Sequence, residues 1–151
     1  MKVVAPAFGL LFSVATCHAC QGTTHVARLW VPEHWGTFEP GDAPEHEPDP
    51  ALLGFVEQVS AGVAEQMQAH APWVRMAPTR TSGLTYLANH CQHCDAVQGD
   101  HYLGEPGGPF WPDTPERMQA LRFLPCQGPL EAEASPGCSA WMAQVPGLPR
   151  P

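Results

Sequence analysis

Residues 13–20 read SVATCHAC, and two incompatible proteins follow from them. Preceded by Lys2 and an apolar run, the stretch has the layout of a secretory leader, with a cysteine near the cleavage point. Read instead as a strand entering a Cys-x-x-Cys turn, it keeps both thiols in the fold. Pro6 and Gly9 interrupt the apolar run where a leader favours helix. Thr16 stands where a lipid-bearing cysteine is normally preceded by Gly, Ala or Ser. Residues 8–16, FGLLFSVAT, are rich in Phe, Leu and Val. In residues 23–31, TTHVARLWV, His25, Ala27, Leu29 and Val31 alternate with Val26, Arg28 and Trp30. Two such strands joined by CHAC make a hairpin whose tip presents two thiols. On this reading the protein is cytoplasmic. The leader reading makes it a secreted, disulfide-linked protein.

An echo of the motif favours the strand. Residues 89–94 read NHCQHC, giving a second pair, Cys91 and Cys94, to set beside Cys17 and Cys20. Residues 84–90, LTYLANH, lead in as a strand, and residues 96–103, AVQGDHYL, lead out as another. Two thiolates on a tight turn grip one side of an ion, and a second turn completes a tetrahedron. Four cysteines leave no open position for water, so the chemistry is that of a structural Zn²⁺ site, not a hydrolytic one. Iron in a Cys₄ site has the same ligands. About 70 residues separate the two pairs, far more than the roughly 15–20 of compact two-pair motifs. Closing so long a loop costs about 3–5 kcal/mol. A structural zinc returns about 10–16 kcal/mol in small peptides, so the ion can decide whether the halves associate. His18, His90 and His93 flank the thiols and are read as neighbours, since four cysteines already suffice. Covalent haem attachment requires His after the second Cys, where Gln21 and Asp95 stand. A thioredoxin-like centre needs one such motif at a helix start, which two hairpin tips do not provide.

The remainder bounds the function. A chain of 151 residues suits one modest core. Pro 18 and Gly 14 predict much loop. A formal charge of −8 disfavours binding to polyphosphate backbones, and no apolar run reaches the roughly 20 residues of a membrane helix. Residues 32–50 read as a solvated acidic loop in which His34 and His46 are exposed. Asp49 and Pro50 resemble a helix start, and Leu52, Val56, Val59, Val63 and Met67 follow as one stripe, predicting an amphipathic helix near 50–71. Residues 76–83 read as a loop. Phe110 and Trp111, between prolines, read as aromatics covering an edge, and Thr114-Pro115 opens a short helix. Beyond Pro125 an irregular tail is expected, with Cys126 and Cys138 as unpaired thiols. No serine lies in a Gly-x-Ser-x-Gly elbow, and Lys occurs only at position 2, so no phosphate loop exists. Asp100 and His101, adjacent in a strand, would point to opposite faces.

The segments LLFSVATCHAC…VARLWVPEHW and TYLANHCQHCDAVQGDHYL…GGPFWP resemble a group of uncharacterised bacterial proteins. These carry an early Cys-x-x-Cys and a later Asn-His-Cys-x-x-Cys, followed by Gly-Asp and a Gly-Pro-Phe element. The resemblance covers about residues 8–125 and looks like a split zinc ribbon. It implies Cys17, Cys20, Cys91 and Cys94 as ligands and a bacterial, cytoplasmic protein. Asp95 departs from the glycine usual after the second knuckle. The expectation is therefore an α+β fold: zinc-ribbon-like hairpins in residues 1–125 with an inserted helix, then a tail over 126–151. The expected function is a non-enzymatic module binding another macromolecule, foremost a protein. Its alternatives are a nucleic-acid-binding ribbon and a redox-responsive zinc switch.

Overall fold

A computed structural model describes residues 1–151. The strands are β1 (Lys2–Ala5), β2 (Gly9–Thr16), β3 (Thr23–Val31), β4 (His34–Thr37), β5 (Glu45–Glu47), β6 (Ala51–Val59), β7 (Val74–Pro78), β8 (Thr85–His90), β9 (Val97–Gln98), β10 (Arg122–Pro125) and β11 (Leu130–Cys138). The helices are α1 (Ala61–His70), α2 (Asp100–Leu103) and α3 (Pro115–Gln119), followed by a 3-10 segment, Ala140–Gly147. Strand accounts for 42% of residues and helix for 18%, so the class is α+β with sheet dominant. Eight strands form one curled antiparallel sheet in the order β10-β2-β3-β6-β11-β1-β4-β5, and β7-β8-β9 form a second.

The central strands are buried on both faces, which is why β2 lacks clean alternation. Leu10 and Phe12 enter an 18-residue core, whereas Leu11 enters a second core of 10 residues on the other face. In β3, Ala27, Leu29 and Val31 face the first core, and Val26 and Trp30 the second. Gly9 is needed for close approach: a Cβ there would lie 2.3 Å from the Phe123 ring of neighbouring β10.

The helix expected near 50–71 is corrected. Its first half is β6, and α1 begins only after Ser60. The predicted stripe mixes two faces, since Leu52 packs in the second core while Val56, Val63 and Met67 pack in the first. A bulge with two extra residues on β6 separates them: Phe55 sits at φ 48°, and between Gln58–Glu133 and Gly54–Ser135 the β6 chain advances four residues against two of β11. The tail expected over 126–151 is also corrected. β11 lies between β6 and β1 and buries Leu130, Ala132 and Ala134. The 3-10 segment buries Met142 and Val145 against Trp30 and Phe123. The loop read over residues 32–50 contains β4 and β5, and His34 is buried there, not exposed. β7 takes the start of the loop read over 76–83. The strand expected over 96–103 shortens to β9 before turning into α2. Phe110 is a core residue, and Trp111 is exposed. The short helix at Thr114 forms as read, with its hydroxyl accepting from the Arg117 N–H at 3.2 Å.

Candidate metal centre

β2 and β3 pair from Gly9–Trp30 to Thr16–Thr23, so CHAC is the closed end of a hairpin. β8 and β9 carry CQHC in the same way. The two turns repeat position for position. Cys17 N–H donates to Gly22 O at 2.9 Å, and Cys91 N–H donates to Ala96 O at 2.8 Å. Gln21 N–H returns to Cys17 O at 3.0 Å, and Asp95 N–H returns to Cys91 O at 2.9 Å. Both turns require the left-handed region after the second cysteine, and Gln21 and Asp95 occupy it at φ 62° and 66°. The departure from glycine noted at Asp95 therefore leaves the turn intact.

The hairpins meet tip to tip. Cys17 Sγ lies 3.6 Å from Cys94 Sγ, and Cys20 Sγ lies 3.7 Å from Cys91 Sγ. All four sulfurs fall within 4.8 Å of one another. Sulfurs about 2.3 Å from a central ion stand about 3.8 Å apart at the corners of a tetrahedron, whereas disulfide sulfurs are about 2.0 Å apart. The spacing is compatible with a bound metal, and all six cysteines are free thiols. Cys17 and Cys91 are buried, while Cys20 and Cys94 are exposed, so each turn turns one sulfur inward and one outward.

The sulfurs sit among N–H donors. Ala19 N–H points at Cys17 Sγ, Gly22 N–H at Cys20 Sγ and His93 N–H at Cys91 Sγ, each at 3.4 Å. Gln98 adds its side-chain amide to Cys17 Sγ at 3.3 Å. Such donors stabilise thiolate, the form that binds metal. The Cys20 N–H foremost, then the Ala19 N–H and the Cys94 and Cys91 thiols, outweigh burial and bring Cys17 down to about 6. The Cys94 N–H chiefly lowers Cys91. The Ala96 N–H pulls Cys94 down too, but burial and bonds to the other three thiols win and push it to about 11. Without a cation, four sulfurs this close cannot all carry charge.

None of the flanking histidines brings a ring nitrogen into the sulfur group. His18 Nε2 reaches Val97 O of the opposite hairpin at 2.8 Å, and His93 Nε2 reaches Thr23 O at 2.9 Å. Each ring therefore latches its own turn to the other hairpin. His90 Nδ1 bonds Ala88 O at 2.9 Å and Trp73 O at 3.2 Å. His46 pairs with Glu33 at 2.7 Å and stacks on Trp35, away from the cysteines.

Sequence reasoning missed the residues that hold the two sheets together. β6 pairs with β3 only over Leu29, Trp30 and Val31, leaving Ala27 without a strand on that side. Asn89 fills the gap. Its Oδ1 accepts from Ala27 N–H at 2.8 Å, and its Nδ2 donates to Ala27 O at 3.0 Å. Its place before the histidine of NHCQHC was the one available signal. Gln98 and Thr24, whose hydroxyl accepts from Gln92 N–H at 3.1 Å, had none. Asp100 and His101 are in α2 and not in a strand: Asp100 is buried against Arg28, and His101 is exposed beside Glu105.

No helix is long and apolar enough to cross a membrane. Comparison with family profiles, with curated proteins and with solved structures gave no match.

Proposed function

We propose that this chain is a non-enzymatic module in which Cys17, Cys20, Cys91 and Cys94 hold a structural Zn²⁺ and the folded surface engages another protein. The observation that carries the reading is the group of four sulfurs within 4.8 Å, with the neighbouring histidines committed to backbone carbonyls. Such a set closes the coordination sphere, leaving the ion a structural role. On this reading the two hairpins are a split zinc ribbon, as in the bacterial proteins the chain resembles. Reduced thiols and the use of residues 9–16 as a core strand favour the cytoplasm.

A protein partner suits the surface better than a nucleic acid. The formal charge of −8 repels phosphate. Phe38 is 65% exposed, and Trp35 is partly exposed near the β4–β5 edge, as expected of a contact patch. Iron is the second reading, since N–H donors around four thiolates suit an iron tetrathiolate equally.

Metal analysis of purified, untagged protein tests the first part. About one zinc per chain is expected, lost in Cys91→Ser, and far less than one metal per chain contradicts it. Iron would announce itself as a coloured protein. Affinity recovery tests the second part: a protein retained by the native chain is expected to be lost with Phe38→Asp at unchanged metal content. Retention on DNA at low salt instead would favour the nucleic-acid alternative.

A further inference from the structure

Beside the metal centre a cavity of about 780 Å³ opens between the turn after β7 and α2. That volume is in the range of small-molecule sites, about 300–1,000 Å³. Its composition departs from the rest of the chain. Acidic residues outnumber basic ones, 15 to 7, yet no Asp or Glu lines this cavity. Arg80, His18 and His101 do, together with several hydroxyls.

Two features show construction. The first is an aromatic floor. Phe55 and Tyr86 meet edge to face at 5.2 Å, and Tyr102, 58% exposed, stands at the rim. Phe55 is held at φ 48° in the β6 bulge, a conformation costly for a bulky residue. Buried Asp100 maintains that arrangement. Its Oδ2 accepts from Phe55 N–H at 2.8 Å, and its own N–H donates to the Tyr86 hydroxyl at 2.9 Å. Arg28 closes the network by donating to Asp100 O at 2.9 Å. The second feature is an unused cation. Arg28, Arg75, Arg117, Arg122 and Arg150 each donate a side-chain hydrogen bond. Arg80 donates none and has no carboxylate partner, although the turn that carries it is tied by Thr79, Ser82 and Leu84.

We propose that this cavity binds a small organic anion with a flat apolar body, its ring against Phe55 and Tyr102 above the buried Tyr86, and its anionic group on Arg80. Phe55 and Tyr102 supply stacking and apolar burial, and the guanidinium supplies a charge-assisted bond among lining residues that include no carboxylate. His101 is engaged by Glu105 at 3.1 Å, so Arg80 is the principal anion contact.

The test uses the full chain as purified, with anilinonaphthalene sulfonate as probe and neutral phenylnaphthylamine as the same ring system without the charge. Calorimetry is expected to give saturable one-to-one binding of the anion. Amide shifts in a nitrogen-15 correlation spectrum should concentrate in residues 79–84 and 97–102. Arg80→Gln, a change at an exposed residue, should weaken the anion about tenfold and leave the spectrum otherwise native. The neutral analogue should bind the native chain about tenfold less tightly than the anion. Absence of saturation, shifts centred elsewhere, or equal affinity in Arg80→Gln would overturn the proposal.

Discussion

Gln21 and Asp95 occupy equivalent left-handed positions, at φ 62° and 66°, with different chemistry. Asp tolerates this region better than Gln, and Glycine better than either. Gln21→Gly should therefore stabilise the protein by about 0.5–1 kcal/mol after the added freedom of the unfolded chain is counted, whereas Asp95→Gly should be nearly neutral. Urea unfolding midpoints of the two variants check this; an equal gain from both would contradict it. His34 makes a second prediction. Burial holds its imidazole below the ordinary 6.5, with Glu47 opposing, and its Nδ1 has no hydrogen-bond partner. The unfolded chain therefore binds this proton at higher pH than the folded one. The neutral ring's contribution is intact above 6.5 and is lost as pH falls toward the lowered folded value. Between about pH 7.5 and about pH 5.5, the native protein should lose more stability than His34→Phe, as read by paired urea titrations.

Among the elements, the junction of the two sheets rests on Asn89. Replacing it with Ala leaves the buried N–H and C=O of Ala27 unpaired and should cost about 2–4 kcal/mol. Gln92→Ala, at an exposed residue whose Oε1 accepts from His25 N–H at 3.1 Å, should cost under about 1 kcal/mol. Chemical denaturation of both variants provides the comparison, and equal costs would remove Asn89 from this role. The strands flanking CHAC were legible because β-branched and aromatic residues filled both sides of one short turn. The helix over 50–71 was misread because Leu52, Val56, Val63 and Met67 keep helical spacing across the Phe55 bulge and the Ser60 boundary, although they serve two faces. β11 was overlooked although Leu130, Ala132 and Ala134 alternate with Glu131 and Glu133 as a half-buried strand should. Pro136 and Gly137 masked it, since both are usually poor strand formers.

At the scale of the whole molecule, the four cysteines join segments far apart in the chain. The intervening residues contribute β3, β4, β5 and β6 to the large sheet and β7 and β8 to the small one. The sulfur group was legible because paired Cys-x-x-Cys turns are a local signal, complete within four residues each. The curled sheet that aims them was not, because pairings such as β11 with β6 and β1 are non-local and leave no mark in spacing. A cation at the tips would tie the small sheet to the large one and close about 70 residues of chain, a constraint of about 3–5 kcal/mol on the unfolded state. X-ray absorption at the metal edge of the protein as purified tests this account most directly. It predicts one ion per chain surrounded by four sulfurs at about 2.3 Å. Nitrogen or oxygen ligands in that shell, or a metal-free chain with the cysteines joined as disulfides, would contradict it.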